Sequence, residues 1–344
     1  MKIIVDAMGG DNAPQALVQG ALEAHRLHGV EIILVGRAEE VLRAVEACGE
    51  KTLPAGVEVR DAREVVEIAD DPATAFKVKK DSSLTVGLTL LKEGAGDAFV
   101  SAGSTGALLS GATLLVKRIR GIRRAAMGPV IPTAEGRMLL CDCGANAECT
   151  PEYLLQFAYL GSYYAKRVLG VAEPRVGLLN IGAEAEKGDT LRHEAYALLR
   201  EADAAGRIRF VGNIEANTAM EGQADVVVAD GFSGNIMLKC MEGTSGFLLH
   251  QLKSVFLSSL LTKLGALLVK RDLGALKKEL DPRESGGTPF LGISRPVIKA
   301  HGSSDARAVC NAILRAKEYA ESGFIADVGA NAALMRVERP AEKA

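Results

Sequence analysis

The sequence predicts an α/β fold, a doubly wound and mostly parallel sheet with one helical excursion. Three observations carry that expectation. Short β-branched runs alternate with longer amphipathic segments, the pattern of strand–helix–strand units. Several runs are apolar without interruption, Val226-Val227-Val228-Ala229 among them, which suits strands covered on both faces. Four runs end in a small-residue turn that opens a helical pattern.

In chain order, strands are expected at Lys2–Asp6, Glu31–Val35, Val57–Arg60, Asp97–Ser101, Arg137–Asp142, Arg175–Asn180, Arg207–Gly212 and Asp225–Asp230. Amphipathic helical segments include Pro14–His28, Thr105–Ile119, Pro151–Val168 and Ser303–Glu321. Pro14 and Pro151 stand where a first helical residue would be, with Asp11/Asn12 and Thr150 as expected caps. One catalytic α/β domain is expected over residues 1–335, with a helical segment at 243–280 inside it and a tail at 336–344.

The four turns carry Asp6, Gly9, Gly10 and Asp11; Ser101, Gly103, Ser104, Thr105 and Gly106; Asp142 and Asn146; and Asp230, Gly231, Ser233, Gly234 and Asn235. In such sheets the carboxyl ends of strands line the ligand crevice. Glycine lets a backbone approach a ligand, and a helix N-terminus aims free N–H groups at an anion. Each turn alone reads as an ordinary strand-to-helix connection. Four of them with polar residues at matching places point to a binding crevice.

Composition narrows the function classes. At 344 residues with 24% charged and 48% hydrophobic side chains, the chain is globular rather than disordered. A net charge of -2 argues against a nucleic-acid binder, so a charged partner must meet a local patch. The six cysteines, Cys48, Cys141, Cys143, Cys149, Cys240 and Cys310, show no disulfide framework, and reduced thiols in a cytoplasm are expected. Met1-Lys2-Ile3-Ile4-Val5-Asp6 does not read as a secretory signal. No run of ~18 apolar residues is long enough to span a bilayer.

Residues 243–271 stand apart. They contain no Asp or Glu but carry Lys253, Lys263, Lys270 and Arg271. Leu252, Phe256, Leu257, Leu260, Leu261, Leu264, Leu267 and Leu268 gather on about half of a helical wheel, although Lys253 and Lys263 project within or beside the arc. Two readings stand: core or dimer-interface helices, or an interfacial membrane contact, which an acid-free basic amphipathic stretch favours.

Missing motifs exclude several chemistries. There is no P-loop, no G-x-G-x-x-G after the first strand, no G-x-S-x-G elbow and no H-E-x-x-H. Cys141, Cys143 and Cys149 lack zinc-like spacing, so no metal is expected. What remains is backbone N–H donors, small hydroxyls, carboxylates and lysines. Lys187 follows a strand in Asn180-Ile181-Gly182-Ala183-Glu184-Ala185-Glu186-Lys187-Gly188, where Glu184 and Glu186 are placed to hold its side chain in the empty site. Lys299, His301, Ser303 and Ser304 precede a helix. Both stretches suit a phosphate, and each lysine alone also reads as a solvated charge.

On these residues the sequence resembles the phosphate:acyl-ACP acyltransferases of bacterial phospholipid synthesis. The resemblance spans about residues 2–330 and rests on ordered motifs. These are Val5-Asp6-Ala7-Met8-Gly9-Gly10-Asp11-Asn12-Ala13-Pro14, Val100-Ser101-Ala102-Gly103-Ser104-Thr105-Gly106-Ala107, and Gly177-Leu178-Leu179-Asn180-Ile181-Gly182 through Lys187-Gly188. Asp230-Gly231-Phe232-Ser233-Gly234-Asn235 with Lys239, and Pro296-Val297-Ile298-Lys299-Ala300-His301-Gly302-Ser303-Ser304-Asp305, complete them. The chain departs from the family pattern at Ser104, where Asn is usual, and at Lys77, where Arg is frequent.

The resemblance implies a fold similar to isopropylmalate-dehydrogenase-type proteins and phosphotransacetylases, a homodimer, and no bound cofactor. It implies transfer of a long-chain acyl group from acyl carrier protein, which brings its own phosphopantetheine, to inorganic phosphate. It further implies cytoplasmic protein resting on an anionic membrane surface and a product passed to a membrane glycerol-phosphate acyltransferase. By motif match, Lys187 and Asn235 are expected to be catalytic, with the other turn residues binding phosphate or substrate. Asn235 also reads as an ordinary helix cap. Lys117, Arg118, Arg120, Arg123 and Arg124 place five basic residues in eight positions, a docking patch for the acidic carrier protein or a solvated helix end. Phe256, Leu257, Leu260, Leu261, Leu264, Leu267 and Leu268 are the expected membrane contacts. The rivals are a short-chain phosphotransacetylase using CoA thioesters and a non-catalytic membrane-associated scaffold.

Overall fold

The computed structural model describes residues 1–279, 281, 284 and 286–335. The expected tail at 336–344, and residue 280 at the end of the helical segment, lie outside the described residues. The chain begins β1 (Lys2–Asp6), α1 (Gln15–His28), β2 (Glu31–Gly36), α2 (Ala38–Ala47), β3 (Val57–Asp61), α3 (Ala75–Val78), α4 (Ser83–Glu93) and β4 (Ala98–Ser101). Next come α5 (Thr105–Gly111), β5 (Ala126–Met127), β6 (Val130–Thr133), β7 (Gly136–Cys141), α6 (Pro151–Arg167) and β8 (Arg175–Leu179). Then α7 (Thr190–Ala204), β9 (Arg209–Ile214), α8 (Ala216–Ala219), β10 (Val226–Val228) and α9 (Gly231–Leu257) follow. Last are α10 (Leu260–Leu268), α11 (Lys270–Glu279), β11 (Thr288–Leu291), β12 (Val297–Lys299), α12 (Ala306–Glu321) and α13 (Phe324–Asn331).

The fold is α/β with mostly parallel strands, as the alternation predicts, but it has two sheets where one was expected. The first runs β3-β2-β1-β4-β12-β11-β5 and the second β6-β7-β10-β8-β9. In the first, β1 pairs in parallel with β2 and β4, and β12 pairs in parallel with β4. In the second, β10 pairs in parallel with β7 and β8. Ile3, Ile4 and Val5 of β1, and all of β10, are buried on both faces, which is why these strands read as unbroken apolar runs.

All eight expected strands are present. Four others escape sequence reading: β5, β6, β11 and β12. They are two to four residues long, and β6 and β11 contain Pro132 and Pro289. So short a run has no readable period, and proline argues against a strand. These strands supply the antiparallel pairs β6–β7, β11–β12 and β11–β5, and the break between β5 and β6 divides the sheets. One core nevertheless crosses the division, joining Ile3 and Ile32 to Leu139 and Val226. Tyr164 of α6 meets Tyr319 of α12 and Phe324 of α13 edge-on, with ring centroids 5.5 and 5.9 Å away, which joins these three helices.

Three helix ends differ from expectation. The first helix starts at Gln15 with Pro14 in the capping position and no side-chain cap; Asn12 instead donates to the carbonyls of Ser303 and Ser304 at 3.2 and 3.1 Å. Thr150 holds the cap position before Pro151, but its side chain accepts no amide. The helix expected over Thr105–Ile119 narrows to α5, followed by a wide turn at Ala112–Val116. It stops at Lys117, whose φ of 76° no helix accommodates.

The helical excursion begins earlier than its composition suggests. Helix α9 starts at Gly231 and runs 27 residues, about 40 Å at the usual helical rise. Its buried residues end at Met237, and α10 buries none. Leu260, Leu261 and Leu268 are 85, 82 and 84% exposed. Among the described residues no helix is long and apolar enough to cross a membrane.

Candidate active site

The adjacency of β1, β4 and β12 gathers the first cluster. Asp6 ends β1, Ser101 ends β4 and Lys299 ends β12, and all three are buried. Ser101 Oγ donates to Asp6 Oδ2 at 2.6 Å and accepts the amide of Gly103 at 3.1 Å. Asp6 Oδ1 accepts the amide of Met8 at 3.2 Å. Burial pushes the Asp6 carboxyl above the ordinary carboxylate range, against the pull of hydrogen bonds from Ser101, Ser83 and the amides of Met8 and Gly9. Space here admits glycine alone at position 9: a Cβ would sit 2.6 Å from Asp6 Oδ2 and 2.7 Å from the Gly103 amide.

The turns of this cluster are stitched to each other. The Asp11 amide donates to the Gly302 carbonyl at 2.8 Å, and Gly10, at φ 98°, packs against the same carbonyl. Lys299 Nζ donates to the carbonyls of Ala102, at 3.2 Å, and Ala300. Burial lowers the Lys299 ammonium to about 8; Asp6 and Asp11 oppose the shift and Lys239 adds to it. Ser104 caps α5 through a 3.5 Å bond from the Ala107 amide. Thr105 and Gly106 form the first turn of α5, with Gly106 against Pro72. His301 Nδ1 accepts the Ser303 amide at 3.3 Å and lies 2.9 Å from Ser303 Oγ. An amide only donates, so the neutral ring carries its proton on Nε2, as a donor. Ser304 is buried behind it.

The adjacency of β7, β10 and β8 gathers the second cluster. Asp142 is fully buried and accepts five hydrogen bonds, from the amides of Met127, Cys143, Ala145 and Asn146 and from Asn146 Nδ2, at 2.7–3.2 Å. Its carboxyl, raised by burial against those bonds, builds the turn and joins it to β5. Asn146 also donates to the Ala125 carbonyl at 2.8 Å. Asp230 caps α9, its Oδ1 accepting the Ser233 amide at 2.9 Å. The cap is therefore Asp230 and not Asn235, which lies exposed within the second turn of α9 beside Gly144. Gly231 donates its amide to the Asn146 carbonyl at 2.8 Å. Gly231 and Gly234 bring α9 into backbone contact with the Asp142–Asn146 turn.

Lys187 sits exposed on the loop after β8. Neither Glu184 nor Glu186 pairs with it among the described residues; its amide instead bonds the Glu184 carbonyl at 3.1 Å. The loop is held from below. Asn180 Nδ2 donates to the Lys187 carbonyl at 3.0 Å, and Asn213 Nδ2 to the Glu184 carbonyl at 2.7 Å. Arg192 bonds Asp189, Asp230 and Ser233. Sequence reading missed Arg192, Asn180 and Asn213. The one signal available for Arg192 was its place one turn after a strong cap, Asp189.

Burial opposes ionisation of the thiols near these turns. Burial pushes Cys141 and Cys143 well up, and Cys149 to about 12. Elsewhere, Lys117, Arg118, Arg120, Arg123 and Arg124 are all exposed. Buried Gln156 shapes their loop by accepting the Arg123 amide at 2.8 Å and donating to the Gly121 carbonyl at 3.1 Å. Lys77 lies over the Phe76 ring at 5.6 Å.

Comparison with known proteins agrees with this architecture. Residues 1–327 match the family described as fatty acid synthesis protein. A phosphate acyltransferase of Acetivibrio thermocellus is 44% identical over 339 residues, 98% of each chain. One from Desulfitobacterium hafniense is 47% identical over 329 residues, 95% of this chain and 96% of that one. In fold, the chain is similar to a phosphotransacetylase from Streptococcus pyogenes, with a TM-score of 0.65 at 18% identity over 93% of this chain and 94% of the other. The chain belongs to the phosphate acyltransferases of the fatty acid synthesis protein family and is an acyltransferase.

Proposed function

We propose that this enzyme transfers a long-chain acyl group from acyl carrier protein to inorganic phosphate, yielding an acyl phosphate for phospholipid synthesis. One observation carries the reading: among the described residues, the two clusters offer cations and donors but no activated nucleophile of their own. The neighbouring thiols are held protonated by burial, Ser101 is committed to Asp6, and Ser233 accepts from Arg192. Phosphate is then itself the nucleophile. Its oxygen attacks the thioester carbonyl carbon, the C–S bond breaks, and phosphopantetheine leaves as a thiolate, a group with an ordinary thiol pKa of roughly 8.5 that departs without a strong acid.

The chain's part is to hold an anion against a thioester and to stabilise the oxyanion. Lys187 neutralises phosphate, and the Asn235 amide donates to the oxyanion without adding charge. Lys299 and the His301 N–H supply further positive potential at the carboxyl end of β12. Asp142 and Asp230 shape the turns instead of meeting substrate, since their oxygens are engaged. The basic loop at 117–124 receives the acidic carrier protein. The exposed leucines of α9 and α10, with Lys253 and Lys263, suit an anionic bilayer or a second copy of the chain. A cytoplasmic homodimer at the membrane face would hand its product to a membrane glycerol-phosphate acyltransferase.

The decisive experiment supplies purified enzyme with phosphate and either long-chain acyl-ACP or acetyl-CoA. Acyl phosphate from the first at the higher kcat/KM supports the reading. A preference for acetyl-CoA would make this a short-chain phosphotransacetylase, and no product from either would leave a scaffold.

A further inference from the structure

We propose that Arg192 is a positioning residue that ties the loop presenting Lys187 to the helix presenting Asn235 and so sets the spacing of the two groups. This rests on reading Lys187 and Asn235 as the catalytic pair. The local geometry begins with Asp189, two residues past Lys187. Its Oδ1 caps α7 by accepting the Arg192 amide at 2.9 Å, and its Oδ2 accepts Arg192 Nη1 at 2.9 Å. The other arm of the same guanidinium, Nη2, reaches Asp230 Oδ2 and, at 3.0 Å, Ser233 Oγ. Asp230 is the cap of α9, five residues before Asn235. One planar fork thus spans the caps of two helices, each of which starts beside one of the two groups.

Burial stiffens the Asp230 end of the tie, while Asp189 at the other end is 60% exposed and holds Arg192 through both its amide and its guanidinium. The side chains of Arg192 and Asp230 are only 15 and 8% exposed, so water competes weakly for the bond. The other anchors of the Lys187 loop, Asn180 and Asn213, come from β8 and β9 and fix the loop to its own sheet. Among the described residues, Arg192 alone carries hydrogen bonds from this loop and helix to the first turn of α9. A lysine could not replace it, because a single ammonium cannot hold both caps in a fixed plane.

The test compares Arg192→Ala, Arg192→Lys, Lys187→Ala and the Arg192→Ala/Lys187→Ala double variant, using long-chain acyl-ACP and inorganic phosphate. Arg192→Ala should lower kcat roughly 10- to 100-fold with the phosphate KM held within about threefold, the signature of misplaced groups. Arg192→Lys should recover little of that loss. In the Lys187→Ala background the further loss should be under about threefold, because the two residues act as one unit. A large rise in phosphate KM, with losses that multiply in the double variant, would mean that Arg192 touches phosphate and would overturn the proposal. Near-normal kcat in Arg192→Lys would do the same, since charge alone would then suffice. Should Arg192→Ala fail to fold, Arg192→Gln/Asp230→Asn removes the stranded buried charge while keeping a capping side chain; wild-type kcat there sinks the idea and the same kcat loss supports it. If Lys187→Ala turns over normally while Arg192→Ala does not, Lys187 is not catalytic and Arg192 acts by another route.

Discussion

Ser101 donates its hydroxyl to Asp6 at 2.6 Å, joining the carboxyl ends of the neighbouring strands β4 and β1 beneath the turns of the first cluster. Both residues are buried. The same oxygen accepts the Gly103 amide, so one hydroxyl satisfies a carboxylate and a backbone donor. Ser101→Ala would strand both, at a cost of about 2 kcal/mol. Urea denaturation should show that loss with an unchanged m-value, and a loss below ~0.5 kcal/mol would mean that water replaces the hydroxyl.

Lys299 should govern a pH dependence. Its folded value is about 8 against an ordinary 10.5. Between those values the unfolded chain binds more protons, so this group makes stability rise with pH, relieving a penalty of ~3 kcal/mol by the upper end. Activity should move the other way. As pH passes about 8 the ammonium is lost and the phosphate KM should climb. Lys299→Met should flatten both trends and raise the phosphate KM roughly tenfold at pH 7. A phosphate KM that is flat from pH 7 to pH 9 in the unsubstituted enzyme would remove Lys299 from phosphate binding.

Asn235 separates chemistry from stability cleanly because Asp230 does the capping. Asn235→Ala should therefore cost well under the ~1 kcal/mol of a lost cap. Asn235→Asp should melt like the unsubstituted enzyme, since a carboxylate is welcome near a helix N-terminus. Its kcat should nevertheless fall roughly 100-fold or more, because Asp has lost the N–H and adds negative charge beside phosphate. An active Asn235→Asp enzyme would shift oxyanion binding to backbone amides such as those of the first turn of α5.

The basic loop should be read by salt. Arg120 and Arg123 are exposed, and the loop backbone is held by Gln156 rather than by either side chain. Arg120→Glu with Arg123→Glu should leave the fold intact and raise the KM for acyl-ACP about fivefold or more at low ionic strength, with the effect shrinking as salt is added. Salt-independent kinetics identical to those of the unsubstituted enzyme would place the carrier protein elsewhere.

The leucines of α10 should be tested against vesicles. Leu260 and Leu264 are exposed, so Leu260→Glu with Leu264→Glu removes no core contact of the protomer. Sedimentation with anionic vesicles should be lost while turnover of soluble acyl-ACP continues. Dissociation of a dimer in the ultracentrifuge would instead identify the segment as an interface between copies.

The sequence alone determined eight of the strands, the turns that end four of them and the presence of a helical excursion. Each is written in a few consecutive residues: an unbroken apolar run, a Gly-rich turn after it, an acid-free leucine arc. Tertiary structure decided what those pieces do together. The division into two sheets depends on β5, β6, β11 and β12, whose two to four residues become strands only through their pairing, β5 with the distant β11 and β12 with the distant β4. Lys299 reads as a phosphate-holding group or a solvated charge, and only the insertion of β12 beside β4 buries it. Asn235 reads both as a catalytic amide and as a cap, and the structure gives the cap to Asp230, five residues earlier. Arg192 carries no local signal beyond its place after the Asp189 cap, because its meaning lies in Asp230, 38 residues away, and hydrogen-bonded reach across a fold is set by packing and not by spacing.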